Sequence, residues 1–259
     1  MKLLKDIINN IKFKKLIGND DCFVKKISFK SNECNKDYLF VAIKGYNVDG
    51  HNYINSAISL GATVIMCEVL PSSLNGEITY IQVSDTKEAL AKISSNFFGN
   101  PADKLKIIGV TGTNGKTTIT TLLFNLFRSL NYNCGLISTI ENRINEKVIS
   151  TNATTPDSLK IHELLFEMVS SECTLCFIEV SSHGIDQKRT YGINFSFAVF
   201  SNISRDHLDY HKSLKDYVNT KKKLFDRLKK DSFSIINADD SYSKKIVSNS
   251  KSRVITYSI

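Results

Sequence analysis

Apolar and polar positions change their period along the chain. Short runs rich in β-branched and aromatic residues, bounded by Gly, Asn, Asp or Ser, read as strands over Phe23–Phe29 (FVKKISF), Asp37–Gly45 (DYLFVAIKG), Ala62–Val69 (ATVIMCEV) and Ile78–Val83 (ITYIQV). Between the second and third, Tyr53–Leu60 reads as a short helix closed by Gly61. Asp85 is placed to cap a helix over Thr86–Phe98, with Glu88 at capping-box spacing. Gly99, Asn100 and Pro101 then break the pattern, which predicts a domain over residues 1–101 and a second over 102–259.

Past that break, strand and helix periods alternate. Strands are predicted at Lys106–Thr111, Asn133–Thr139, Leu175–Val180, Phe195–Phe200 and Phe233–Asn237. Helices are predicted at Thr117–Leu130, Ser158–Ser170 and Tyr217–Lys230, the first with apolar residues at helical spacing at Leu122, Leu123, Leu126, Phe127 and Leu130. The fold class is therefore α/β: a small mixed domain, then a mostly parallel sheet covered by helices. In such sheets ligands sit at the carboxyl ends of the strands.

Composition narrows the function classes. A hydrophobic share of 42% and a charged share of 23% over 259 residues describe a globular chain. No apolar run approaches the roughly 20 residues of a membrane span, and the N-terminus has no apolar signal-peptide core. The net charge of +8 suits either phosphate-bearing ligands or a lysine-rich solvated surface. With no Trp and no nucleic-acid-binding motif, no nucleic-acid partner is expected. Six scattered cysteines without a secretory signal read as reduced cytosolic thiols, so the expected location is the cytoplasm. The lone Cys173-x-x-Cys176 lacks a second ligand pair for zinc.

The strongest chemical signal is GVTGTNGKTT, Gly109–Thr118, between a predicted strand and helix. Glycines let backbone N–H groups approach phosphate, Lys116 can neutralise the β- and γ-phosphates, and the Thr117 hydroxyl can hold Mg²⁺. The strict P-loop has glycine five residues before Gly115, and Val110 stands there instead. Glu179 ends a strand, where a carboxylate can hold a metal beside the phosphates, and Ser181–Gly184 follows at once. Asp206, His207, Asp209 and His211 follow the next strand. His207-x-x-x-His211 lacks a third zinc ligand, so these side chains are read as positioning Mg²⁺ or water. Asn237–Asp240 reads equally as a capping turn or as a nucleotide contact. The residues alone therefore describe a Mg-ATP enzyme with a small basic N-terminal domain.

GTNGKTT, TTPDS (Thr154–Ser158), EVSSHGI (Glu179–Ile185), SRDHLDYH (Ser204–His211) and LFVAIKGYNVDGHNYI (Leu39–Ile54) together resemble the Mur ligase family, in its UDP-N-acetylmuramoyl-tripeptide synthetase branch. The resemblance runs nearly the whole length of the chain. It implies an N-terminal UDP-sugar-binding domain and a central ATP-binding domain. The implied reaction joins a diamino acid, diaminopimelate or lysine, to UDP-MurNAc-L-Ala-D-Glu. ATP phosphorylates the D-Glu side carboxylate, and the amine displaces phosphate from the acyl phosphate. Ser31, Tyr46, Asn47 and Val48 are implied at the uridine diphosphate end, and Thr154, Thr155, Ser182, Gln187 and Arg189 at the sugar–peptide part. Gly112, Thr113, Asn114, Gly115, Lys116, Thr117 and Thr118 are implied for ATP, with Asn237 for the adenine. Glu179 and His207 are implied at the Mg²⁺ site beside Thr117, and Lys221 aligns with a carbamylated lysine. Lys116, His207 and Lys221 are thus the implied catalytic set, in an enzyme expected to be monomeric at full length.

Two departures qualify the resemblance. The family has Asp-Ser-Arg where this chain has Lys30-Ser31-Asn32. The chain also stops at RVITYSI, partway through the family's central domain and before the domain that selects the amino acid. The expectation is a fragment or truncated product that does not ligate by itself. A non-catalytic binding remnant and a folylpolyglutamate synthetase-like ligase stay open as alternatives.

Overall fold

A parallel strand covered by helices on both faces has no polar side, and β-branched and aromatic runs are what such a strand requires. The computed structural model describes every residue except Asn47, His207, Leu208 and Ile259. It divides into two compact units, Met1–Gly99 and Asn100–Ile259.

In the first unit, β1 (Lys2–Leu3), α1 (Leu4–Ile7), β2 (Phe13–Ile17), β3 (Phe23–Val24), β4 (Lys26–Ser28), β5 (Tyr38–Val41), α2 (Ile54–Ser59), β6 (Ala62–Cys67), β7 (Thr79–Val83) and α3 (Thr86–Phe97) follow in order. The main sheet has the order β2-β7-β6-β5-β4, with β2 antiparallel to β7 and the other pairs parallel. The continuous strand expected over Phe23–Phe29 is instead two strands, because Phe23–Val24 pairs with β1 while Lys26–Ser28 pairs with β5. Asp85 caps α3 by accepting from the Glu88 amide at 2.9 Å. Phe40, Ile65, Cys67 and Tyr80 fill one core of this unit.

The second unit runs β8 (Lys106–Thr111), α4 (Lys116–Ser129), β9 (Cys134–Ile137), β10 (Glu141–Ile144), β11 (Lys147–Ser150), α5 (Ser158–Ser170), β12 (Leu175–Glu179), α6 (Ser182–Asp186), β13 (Phe197–Phe200), α7 (Leu214–Asp226), β14 (Phe233–Asn237), α8 (Ser243–Ile246) and β15 (Arg253–Tyr257). Its sheet has the order β11-β10-β9-β12-β8-β13-β14-β15, parallel apart from the β9–β10–β11 meander. Strands β9 and β12 lie on one side of β8 and β13–β15 on the other, so the order reverses at β8, the place where open α/β sheets hold ligands. Alternate residues serve the two faces. Ile107, Cys176 and Ile178 join the core that includes α5 and α7, while Ile108, Val110 and Phe177 join the core beneath Phe124 of α4.

Two helices differ from the periodic reading. Helix α7 is Leu214–Asp226 rather than Tyr217–Lys230, because Ser213 caps it by accepting from the Asp216 amide. On α4, Phe124 and Thr120 are buried and Leu123 and Phe127 pack beside them, while Leu122, Leu126 and Leu130 are exposed. A helix buries one stripe, and these three leucines lie on the next face round. Among the described residues no helix is long and apolar enough to cross a membrane.

Candidate functional site

The carboxyl end of β8 runs directly into Gly112–Gly115, and α4 begins at Lys116. No side chain caps α4, so its first N–H groups remain available to an anion. Gly112 is required by space: a Cβ there would meet the Ser201 side chain and come within 3.1 Å of the Asn202 backbone. The loop is held in shape from β13. The Thr113 amide donates to Asn202 O at 2.8 Å, the Asn114 amide to Asn202 Oδ1 at 3.1 Å, and Ser201 Oγ to Asn114 O at 2.7 Å.

Two lysines converge on this loop. Lys116 Nζ donates to Gly112 O at 3.0 Å and Thr113 O at 2.8 Å. Lys221 Nζ, reaching from α7, donates to the same Gly112 O at 2.7 Å. Lys221 is 1% exposed and lies 4.5 Å from the centroid of the Tyr217 ring, one helical turn earlier. The Tyr217 hydroxyl is 3.1 Å from Thr113 Oγ1, which ties α7 to the loop a second time. Burial first, and then the neighbouring Lys116 ammonium, holds the Lys221 amine well below its ordinary value; Asp206 opposes them. Burial also lowers Lys116, against Glu179 and Asp206.

Glu179 ends β12 with no exposed surface. Its carboxylate accepts from Thr117 Oγ1 at 3.0 Å, the Thr139 amide at 2.9 Å and Thr139 Oγ1 at 3.0 Å. A buried carboxylate and a hydroxyl are hard oxygen donors, so Thr117 and Glu179 fit a magnesium ion. Beyond Glu179, Thr155 Oγ1 donates to Glu179 O at 2.7 Å and accepts from the Ser181 amide at 3.0 Å. Arg189 Nη1 donates to Thr155 O, and its Nη2 donates to Gln187 Oε1 at 2.8 Å. Ser182 Oγ is buried without a hydrogen-bond partner among the described residues.

These groups line one cleft of about 480 Å³ that brings together Thr113–Thr118, Thr154, Thr155, Glu179, Ser182, Arg189 and Lys221. Gln187 stands behind Arg189. Asn237 does not line the cleft; its amide donates to Ser201 O at 2.8 Å and its oxygen accepts from the Asp239 amide at 3.0 Å, an anchoring role. Ser31, Tyr46 and Val48 belong to the other unit, after the carboxyl ends of the adjacent parallel strands β4 and β5. Tyr46 and Val48 are exposed there, at 86% and 55%. Asn47 and His207 lie outside the described residues. Sequence reasoning missed Thr139 and Tyr217; the first ends a predicted strand and the second is four residues before Lys221, and both spacings could have flagged them.

Comparison with known proteins finds matches along nearly the whole chain. Residues 110–259 match the Mur ligase middle domain, and residues 24–98 match the model described as Mur ligase family, catalytic domain. The UDP-N-acetylmuramoyl-L-alanyl-D-glutamate–2,6-diaminopimelate ligase of Bacteroides fragilis is 46% identical over 99% of this chain and 53% of that protein. The ligase of the same name from Clostridium tetani is 41% identical over the same shares. A solved structure of a ligase of that name has a TM-score of 0.83 at 27% identity, over 99% of this chain and 52% of that one. The MurF ligase of Thermotoga maritima, solved in complex with ADP, shares the fold with a TM-score of 0.62 at 22% identity, over 91% of this chain and 50% of its own. The chain thus spans about half the length of the curated relatives it matches. With its middle-domain match covering more than half of its residues, this chain belongs to the Mur ligase family.

Proposed function

We propose that this chain forms the sugar-nucleotide-binding and ATP-binding parts of a ligase that joins 2,6-diaminopimelate to UDP-MurNAc-L-Ala-D-Glu in peptidoglycan precursor synthesis. The observation that carries the reading is the convergence of Lys116, Lys221 and the Thr117–Glu179 pair on one phosphate-sized loop. The names of the relatives support the same substrates.

In this reading Gly112–Thr118 cradle the ATP phosphates, and Lys116 leaves the loop carbonyls to pair with the transferring phosphoryl group. Thr117 and Glu179 hold Mg²⁺, with His207 as a further ligand, and the ion when bound draws charge off that group. Thr154, Thr155, Ser182 and Arg189 orient the sugar–peptide so that the D-Glu carboxylate faces the γ-phosphorus. The carboxylate oxygen bonds to phosphorus as the β,γ-bridge breaks. The amine then bonds to the acyl carbon, loses a proton, and phosphate leaves. Ser31, Tyr46, Asn47 and Val48 take the uridine diphosphate end. Its depressed basicity lets the Lys221 amine react with CO₂: an N–C bond forms, a proton leaves, and a carbamate replaces the cation. That exchange turns a group that repels a metal into an oxygen ligand.

The test is ligation by the whole enzyme that contains this chain. With ATP, Mg²⁺, UDP-MurNAc-L-Ala-D-Glu and diaminopimelate, the sugar nucleotide gains the mass of one diaminopimelate residue, and omitting ATP abolishes the gain. No product with all four present contradicts the reading.

A further inference from the structure

We propose that His51 is a positioning residue: by bridging Asp49 and the backbone of Glu68 it fixes the loop that presents Tyr46 and Val48, and so sets affinity for a uridine diphosphate group. The ligand half of this inference rests on the reading of that loop given under Proposed function.

The loop leaves the sheet after β5, and backbone bonds hold its base. The Gly45 amide donates to Val48 O at 2.8 Å, and an isolated antiparallel bridge joins Lys44 to Asp49. The Gly50 amide donates to Ile43 O at 2.8 Å, an approach so close that a Cβ on residue 50 would stand 2.7 Å from Ile43 N. Tyr46 and Val48 are mostly exposed, so little apolar burial restrains the tip.

His51 supplies the tie that burial does not. Its Nε2 accepts from the Glu68 amide at 2.9 Å, with the Val69 amide at 3.4 Å. That nitrogen therefore carries no proton, and the ring proton is on Nδ1, 2.6 Å from Asp49 Oδ1. The same Asp49 oxygen accepts the His51 amide at 3.0 Å, and these two bonds hold the Asp49 carboxyl below its usual range. Glu68 is itself fixed at the end of β6. Its carboxylate accepts from the Thr86 amide and Thr86 Oγ1, each at 2.9 Å, where α3 starts, and its carbonyl accepts from Gln82 Nε2 at 3.0 Å. One imidazole thus connects an exposed loop to a strand end braced by a helix.

The experiment combines amide hydrogen exchange with titration of UDP and of ATP, on wild type, His51→Ala, His51→Gln and His51→Leu. In His51→Ala, exchange at Glu68 and Gly45 accelerates roughly tenfold, UDP binds roughly tenfold more weakly, and ATP affinity holds. His51→Gln, whose amide oxygen can accept from Glu68 N–H, recovers most of both losses, whereas His51→Leu, of similar size but without an acceptor, does not. Exchange and UDP affinity both unchanged in His51→Ala overturn the proposal. Faster exchange with unchanged UDP affinity overturns its ligand half. A wild-type protein that does not bind UDP overturns the underlying reading of the loop instead, and the exchange data tell the cases apart. Should His51→Ala not fold, Asp49→Asn, which weakens the Nδ1 contact and leaves the backbone intact, is expected to loosen the loop in the same direction.

Discussion

The two regions that hold candidate site residues are built on opposite principles. Around the Gly112–Thr118 loop, charged side chains are buried: Glu179 and Lys221 have almost no exposed surface, and each is fixed by hydrogen bonds to backbone or hydroxyl partners. Around Tyr46, apolar side chains are exposed on a loop that one imidazole ties to the end of β6. Burying charge costs stability unless partners compensate, so a fold that does it is holding reactive groups in a low-dielectric setting where they act strongly. An exposed aromatic on a light loop offers contact area and adaptability. The first arrangement suits bond-making and the second suits recognition.

The sharpest way to break this contrast is Lys116→Ala. In the whole enzyme it is expected to remove roughly 2–4 kcal/mol of transition-state stabilisation, a rate loss of about 30- to 1,000-fold, while affinity for UDP-MurNAc-L-Ala-D-Glu stays near wild type. Steady-state turnover alongside calorimetric binding checks both halves; near-normal turnover removes Lys116 from the phosphoryl site.

Lys221→Ala should come next, losing most of the activity but regaining part of it when short carboxylic acids are added to stand in for the carbamate. Full activity without any added acid would remove Lys221 from the mechanism. ATP affinity should change less than turnover, since Lys221 is read as a metal-side group.

Acid should distinguish the two units. His162 on α5 is 1% exposed, neither ring nitrogen has a hydrogen-bond partner among the described residues, and burial pushes it down to about 4, with Asp103 opposing. The unfolded chain therefore takes up a proton near pH 6.5 that the folded chain refuses until about pH 4. Stability present above pH 6.5 is lost as pH falls through that window, by about 2 kcal/mol between pH 7 and 5. Urea unfolding followed by hydrogen exchange should show Asn100–Ile259 weakening faster than Met1–Gly99, and His162→Leu should flatten the dependence. An unchanged pH profile in that variant refutes the assignment.

An effect of similar size, confined to binding, belongs to Tyr46→Ala. If the exposed ring stacks on uracil, UDP affinity falls by about 1–3 kcal/mol while the denaturation midpoint stays within the range of about 0.5 kcal/mol typical of surface changes. A midpoint shift without an affinity change would make the ring structural.

How much was legible in the sequence follows the same divide. Lys106–Thr111, Ser158–Ser170 and Phe233–Asn237 have the same bounds in pattern and structure, because parallel-sheet strands and a capped amphipathic helix leave strong periodic signals. The hairpin Glu141–Ile144 with Lys147–Ser150 was not read, although Asn145 takes the left-handed conformation that its turn needs. Its strands are short and carry charged residues. The strands of Arg253–Tyr257 and Phe13–Ile17 escaped for a related reason: both are edge strands with largely exposed residues. Around the cleft, the glycine loop was legible because its chemistry is local. That Thr139 would satisfy Glu179, and that Tyr217 would tie Lys221 to Thr113, depends on strand order and helix phase, which no short segment encodes.

The central claim is that the cleft activates a carboxylate by phosphorylating it. It is tested most directly by labelling the D-Glu side carboxylate of UDP-MurNAc-L-Ala-D-Glu with oxygen-18 and following the label through turnover by the whole enzyme. Attack of that carboxylate on the γ-phosphorus, followed by amine attack at the acyl carbon, carries one labelled oxygen into each phosphate released, and the account predicts that transfer. Labelled peptide product accompanied by unlabelled phosphate would contradict it.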